Sequence, residues 1–307
     1  MRVTEVPLSS SLTSPLAPMP LQQSPGYGRA LRRLGAAVRR VELSEGEQVR
    51  GQALLLRRGW GRLGVTVAIR GPVWQGAPDP ALKAHLIGGM ARGANPLVVQ
   101  DGAGLRLGGS RTLAILSLTH PAAQRKALAP TWRNHLRRGE ASGLEVEDLC
   151  PGPAELEAIL TADRAQQAAR RYAALPARFL HAWQVCNPRD LRLYRALMAG
   201  KVVASALFLL HRPWATYHIA ISSDEARRTE AHRLILWRAM FDLHAAGYTT
   251  LDLGLAEAGT PGLADFKRGT GARLEATGPL ALWLPARARQ CGSPDASVPG
   301  PMRASGI

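Results

Sequence analysis

Lysine is almost missing from this chain: of its 39 basic residues only Lys83, Lys126, Lys201 and Lys267 are lysines, and the others are arginines. Cysteine is scarce too, with Cys150, Cys186 and Cys291 far apart, odd in number and never in a CxxC spacing. That excludes a disulfide framework and a zinc-finger pattern, and makes a reduced, cytoplasmic setting the expected one. His85, His120, His181 and His211 lack ligand spacing, so no metal site is expected. No apolar run approaches the roughly 20 residues of a membrane helix. The longest, 202–210, has strand length and lies between Lys201 and His211. The first twenty residues are rich in Ser and Pro, without a continuous apolar stretch after a basic start, so a signal peptide is not expected.

What is present is a sizeable apolar fraction, 46% of 307 residues, enough for one large domain or two smaller ones. Aromatic residues make up only 5%, yet seven of them are Trp. The net charge of +16 favours polyanionic partners: RNA, DNA, coenzyme A phosphates, nucleotide-linked substrates or anionic lipid headgroups. The alternative is drift: heavy Arg, Ala, Leu and Gly usage fits a GC-rich genome, with part of the charge on solvated helix faces.

Residues 1–20 and 287–307 read as Ser/Pro and Pro/Gly/Arg tails without order. Between them the pattern is mixed α/β. Ser24-Pro25 caps and opens a helix that Gly35 ends. Strands are expected at 38–43, 52–58 and 63–73, a helix at 79–92, and strands at 96–100 and 111–118. A basic helix at 119–142, interruptible at Pro130, precedes a strand at 144–149 and helices at 153–172 and 176–185. A second set follows: strands at 191–197, 202–210 and 216–221, with Ala199-Gly200 as the first turn. One long helix at 224–246 stops at Gly247, followed by a strand at 249–253, a short helix and a closing strand at 276–284. The two halves share a plan, although no residue-level repeat is visible.

Several segments resemble the FemAB peptidyltransferases and related BioF-like acetyltransferases of the GNAT superfamily. Leu21-Gln22-Gln23-Ser24-Pro25-Gly26-Tyr27 resembles the family's opening LxQSPxW, and Arg70-Gly71-Pro72 its RGP. Trp132 to Glu140 followed by Gly143-Leu144 resembles its basic helix. Tyr217, Leu236-Trp237-Arg238, Gly247, Leu251-Asp252-Leu253-Gly254 and Phe266-Lys267-Arg268-Gly269-Thr270-Gly271 resemble its second half. The resemblance covers nearly all the chain outside the tails. It implies tandem GNAT-like domains, 21–150 and 151–286, with the working part between about 191 and 284. One departure stands out. GNAT relatives that use acetyl-CoA open their main helix with a Gly-containing turn whose amides hold a pyrophosphate. The corresponding 222–232 stretch has Arg227 and Arg228 but no glycine, and carries Asp224 and Glu225.

Acyl transfer needs a free amine, an aligned ester or thioester and oxyanion stabilisation; alignment alone contributes roughly 7–11 kcal/mol. The resemblance puts Phe266 and Lys267 in the catalytic channel, where Lys267 could hold a phosphate or the oxyanion; the alternative is an ordinary basic helix end. Asp252, facing opposite to Leu251 and Leu253, could take the amine's proton or hold Lys267; alternatively it is a polar edge position or is ion-paired with a neighbouring arginine. Tyr217 sits on the strand where GNAT relatives bring donor and acceptor together; His218 next to it points to the opposite face. Glu257 and Asp265 are weaker candidates, better read as turn or cap residues. Arg133, Arg137 and Arg138, with Arg268, Arg227 and Arg228, could grip a carrier's phosphates or simply be solvated. Arg70 could face the acceptor groove. Trp237 is expected in the core with Leu234 and Met240.

The expected activity is transfer of an acyl or aminoacyl group from an anionic carrier to an amine, the acceptor being a small molecule or a cell-wall precursor. Acyl-CoA is the first expectation for the carrier and no permanently bound cofactor is needed. Aminoacyl-tRNA, the carrier of the FemAB proteins, is the second. A basic nucleic-acid-binding protein without turnover is the rival from another class.

Overall fold

In the computed structural model, residues 1–9, 19–59, 64–92, 96–100, 104–256 and 261–284 are described. The chain opens with β1 (Arg2–Val6), a single 3-10 turn at Leu21–Gln23, α1 (Pro25–Arg33), β2 (Val38–Glu45) and β3 (Gln48–Arg58). Next come β4 (Val65–Ala68), β5 (Val73–Trp74), α2 (Pro80–Arg92), β6 (Leu97–Val99) and β7 (Leu105–Arg106). Then follow β8 (Thr112–Ser117), α3 (Pro121–Ala127), α4 (Pro130–Glu140), β9 (Glu145–Leu149), α5 (Pro153–Arg170) and α6 (Ala177–Cys186). β10 (Leu191–Met198), β11 (Lys201–His211) and β12 (Trp214–Ser222) form a meander. The chain continues through α7 (Asp224–Arg228), α8 (Ala231–Ala245), β13 (Thr250–Leu255), α9 (Pro261–Arg268), β14 (Arg273–Ala276) and β15 (Ala281–Trp283).

Local chemistry explains the punctuation. Ser24 Oγ accepts from the Tyr27 amide at 3.1 Å, a cap typically contributing about 1 kcal/mol, and Pro25 occupies the first turn where no amide partner is required. Ala199 and Gly200 both have positive φ, as a two-residue hairpin demands, so the 199–200 turn forms as expected.

Two mixed sheets result. The first has the order β1-β2-β3-β4-β6-β15-β7, with β5 added to β3; the second has the order β14-β8-β13-β12-β11-β10-β9. Helix α2 covers the first sheet through Leu86, Ile87 and Met90, and α4 and α8 cover one face of the second through Leu136, Ile235 and Leu236. Between the sheets lies a shared core. Tyr27 of α1, Leu54 and Leu56 of β3, Phe179 and Trp183 of α6 and Leu207 of β11 pack together there.

Four expectations need correction. Residues 2–6 are not an unstructured arm: β1 pairs antiparallel with β2, and the rest of that arm from 10 to 18, like the 287–307 tail, lies outside the described residues. A boundary at residue 150 does not separate the sheets. β8 belongs to the second because its buried Ala114 and Leu116 join that core and it pairs with β13, whereas β15 returns to the first. The single strand at 276–284 is therefore two strands in two sheets. The single helix at 224–246 is broken at Glu230, whose φ of 58° ends α7 and restarts α8. Among the described residues, no helix is long and apolar enough to cross a membrane.

Candidate active site

β12 and β13 are parallel neighbours for three residue pairs only, Trp214–Thr250 to Thr216–Asp252. Beyond them β12 stays with β11 as far as Ser222, while β13 stays with β8, so the strands part. A bulge at His218 shifts the phase of β12: Leu207 pairs with Ile219 and Phe208 with Tyr217. Tyr217 and Ala220 consequently line the same cleft, of about 270 Å³, together with Phe266, Leu263, Arg170 and Arg233. Burial pushes the Tyr217 phenol well above its ordinary value, so it stays an O–H at neutral pH.

Phe266 lines this cleft, and Lys267, one residue on, turns the other way. Its Nζ donates to the Leu255 carbonyl at 2.6 Å, and the side chain is buried. Burial pulls the ammonium down to about 8, opposed by the nearby negative charge of Asp252. The segment after Lys267 is wedged in place: Gly269 donates to Asp265 and accepts from the Ala129 amide, and a Cβ there would come within 2.7 Å of the Trp132 ring. Trp132 Nε1 donates to the Phe266 carbonyl at 3.1 Å.

Asp252 faces away from Leu251 and Leu253, which join the core under α8, and is 1% exposed. One carboxylate oxygen accepts from the Gly254 amide at 2.8 Å; the other is ion-paired with Arg70. Arg70 comes from the loop after β4, so the first sheet reaches into the second. His211 lies close enough to feel both charges. Its Nε2 is 2.8 Å from Thr216 Oγ1, and burial lowers it to about 4, leaving it neutral.

The basic residues named from the sequence divide. Arg70 enters the buried cluster and Arg227 lines the cleft, but Arg227 is exposed and paired with Asp224. Arg268 is turned to solvent and paired with Asp265, because it lies one position past Lys267 on the outer face of α9. Arg137 and Arg138 are exposed on α4 and Arg133 is half-buried there; Arg228 is exposed on α7. Trp237 is half-buried at the margin of its core, beneath the Arg125 guanidinium, rather than fully inside. Glu257 lies outside the described residues.

Two residues at the cleft went unread in the sequence. Arg233 lies over the rings of Phe266, at 5.4 Å, and Trp132, at 5.9 Å. Glu230 meets His135 Nδ1 with one oxygen and Arg233 with the other, at the amino end of α8. The i, i+3 spacing of Glu230 and Arg233 was the available signal. Among the described residues no three His, Cys, Asp or Glu side chains converge as a metal-binding group.

Residues 125–268 match the family model of the acetyltransferase (GNAT) domain. Among solved structures, FemX superposes with a TM-score of 0.71 at 13% identity, over 91% of this chain and 96% of that one. The C-terminal DUF2156 domain of a putative lysylphosphatidylglycerol synthetase from Agrobacterium fabrum gives 0.53 at 19% identity, over 85% and 88%. A conserved protein of unknown function from Bacteroides thetaiotaomicron VPI-5482 gives 0.55 at 12%, over 84% and 89%. A search of curated proteins finds no match. At these identities the structural likeness is one of fold. The parting strands, the cleft and the matched segment agree: residues 125–268 are similar to the acetyltransferase (GNAT) domain, and the chain has the two-sheet fold of FemX.

Proposed function

We propose that this enzyme transfers an aminoacyl group from its ester with tRNA to an amine, with Lys267 as the proton acceptor. The observation that carries the choice of donor is Glu230. It stands in a left-handed conformation at the amino end of α8, where a glycine turn would admit a pyrophosphate. Its carboxylate is held there by His135 and Arg233, and Asp224 and Glu225 fill the first turn of α7 with further negative charge. A nucleotide pyrophosphate would meet a carboxylate there instead of the free amides of a glycine turn. A tRNA ester needs no such cradle, since its phosphates are spread over a wide surface that the chain's net +16 charge attracts.

In this reading the ester enters where β12 and β13 part, past Phe266, so that its carbonyl comes to the side of α9 that carries Lys267. The incoming amine attacks the carbonyl carbon, forming the N–C bond. Its proton passes to neutral Lys267 Nζ and then to the departing ribose oxygen as the C–O bond breaks. Such proton transfer contributes typically about 10²–10⁴-fold. Arg233, stacked over Phe266 and Trp132, keeps the floor of the cleft in place.

A second reading keeps acyl-CoA as donor. The gap between β12 and β13 favours it, because a slender acyl-carrying arm fits a cleft of about 270 Å³. The two are separated by presenting acetyl-CoA, a longer acyl-CoA and bulk aminoacyl-tRNA with a panel of primary amines, and by melting the protein with each. The proposal expects amine-dependent deacylation of tRNA and a melting shift that requires the aminoacyl group. Thiol release from a CoA ester, lost in Lys267→Ala, with tRNA untouched would overturn it in favour of the second reading.

A further inference from the structure

We propose that Arg70 is a positioning residue of the transfer site: it occupies the Asp252 carboxylate so that Lys267 gives up its proton more readily than it would as half of a buried ion pair. The inference rests on the reading of Lys267 as proton acceptor, and it reassigns Arg70 from substrate contact to control of charge inside the protein.

The argument begins with how Arg70 is presented. Its φ of 53° is a conformation that costs an L-residue about 1–2 kcal/mol, so the neighbouring structure must impose it. Two glutamines do so. Gln100 accepts from the Arg70 amide through Oε1 at 2.9 Å, and its own amide donates to the Gly71 carbonyl at 3.0 Å. Gln23, 2% exposed, accepts from the Leu54 amide and donates to the Ile69 carbonyl, both at 2.7 Å. Gly71 fits against it so closely that a Cβ would lie 2.5 Å from Gln23 Cδ. A side chain held this firmly, crossing from one sheet to the other, delivers its guanidinium to a carboxylate that is almost wholly out of water.

Now consider Lys267 without that delivery. Asp252 is the negative charge that raises the affinity of Lys267 for its proton. With Arg70 in place, one Asp252 oxygen holds the guanidinium and the other the Gly254 amide, while Lys267 donates to the neutral Leu255 carbonyl. With Arg70 neutralised, a buried carboxylate stands unpaired beside the amine, and the amine retains its proton to higher pH. The other charged groups nearby do not replace Arg70. His211 on β11 is neutral, Asp265 and Arg268 of α9 pair with each other at the surface, and Arg233 of α8 is paired with Glu230 above the Phe266 ring.

The scarcity of lysine makes the test direct. Protein labelled with ¹³Cε-lysine gives signals from four side chains, and Lys267→Arg identifies the one of interest. Its titration is followed from pH 6 to 11 in the wild type, Arg70→Gln, Arg70→Lys, Asp252→Asn and the double variant Arg70→Gln/Asp252→Asn. The inference expects the Lys267 midpoint to rise by about one pH unit in Arg70→Gln, to stay near the wild-type position in Arg70→Lys, to fall in Asp252→Asn and to return most of the way in the double variant. An unchanged or lower midpoint in folded Arg70→Gln overturns it. Should Arg70→Gln fail to fold, a midpoint in Asp252→Asn that does not fall overturns it as well. The pH dependence of kcat/KM is measured on the same proteins. If the titration moves and the alkaline-activated limb does not follow, the control of charge by Arg70 stands and the role of Lys267 as proton acceptor falls.

Discussion

The two sheets repeat one plan and end it differently. In the first, β4 and β6 pair in parallel over three residues, Thr66–Leu97 to Ala68–Val99, after β2 and β3 and with α2 as the crossover. In the second, β12 and β13 pair over three residues after β10 and β11, with α7 and α8 as the crossover. Past the third pair the first sheet shuts: the chain turns at Arg70-Gly71, and Gln100 bonds both residues. Past the third pair the second sheet opens, because β12 bulges and continues beside β11. The same position in the plan therefore yields a clamp in one half and a cleft in the other. The clamp's side chain is aimed at Asp252 of β13, where that strand parts from β12. The lesson is that two sheets of one plan can end differently, one parting at a cleft and the other holding a charge in place.

The comparison breaks first at Lys267. Lys267→Ala is expected to lower kcat about 10²–10⁴-fold with the melting temperature nearly preserved. Loss of activity by unfolding instead would make Lys267 structural. Next comes the bridge itself. Arg70→Gln leaves the 1%-exposed Asp252 without its cation, a loss of about 3 kcal/mol in urea unfolding, since a broken buried pair strands a charge. Asp252→Asn costs less because Arg70, more exposed, regains water. The double variant recovers most of the loss. Additive losses would mean that the two residues act independently, and that clamp and cleft are not coupled.

Much of this was readable before any coordinates. Ser24 and Pro25 announce α1, the alternation of Leu251, Asp252 and Leu253 puts the carboxylate opposite the core, and the rare lysine beside Phe266 is one that folding buries. These signals are local, and local chemistry settles them. What could not be read is long-range or collective. Arg70 and Asp252 lie far apart in sequence, and nothing in either segment names the other. β15 was taken as part of a closing strand of the second half, but edge pairing with β6 draws it back to the first sheet. The residues around Glu230 suit a helix throughout; the break goes with a contact to His135 of α4 that the local sequence does not show. His211 was set aside for lack of ligand spacing, yet folding puts it beside the ion pair. For the basic patches the limit is simple: counting arginines does not show that Arg268 and Arg227 already have partners at the surface.

The donor choice sharpens at Glu230. If its carboxylate is what turns a pyrophosphate away, Glu230→Gln should tighten acetyl-CoA binding on the order of five- to tenfold, as removal of one charge at a helix amino end allows. Titration calorimetry at low salt reads this directly. An unchanged affinity would move the exclusion of CoA from charge to shape, because the turn would still lack a glycine.

The smallest effect is expected on the exposed face of α4. Arg137→Ala and Arg138→Ala touch no core side chain, and such surface changes usually stay within about 0.5 kcal/mol of the parent stability. Their use is in the salt dependence. If these arginines contact the phosphates of a bound tRNA, the double variant should lower the slope of log K against log salt by about 1.4 to 1.8, each lost phosphate contact removing roughly 0.7 to 0.9. The titration behaviour of Lys267 should stay as it was. A slope that does not change would put the tRNA on another face, and would leave the buried cluster, not the basic helix, as the part of the molecule where charge acts.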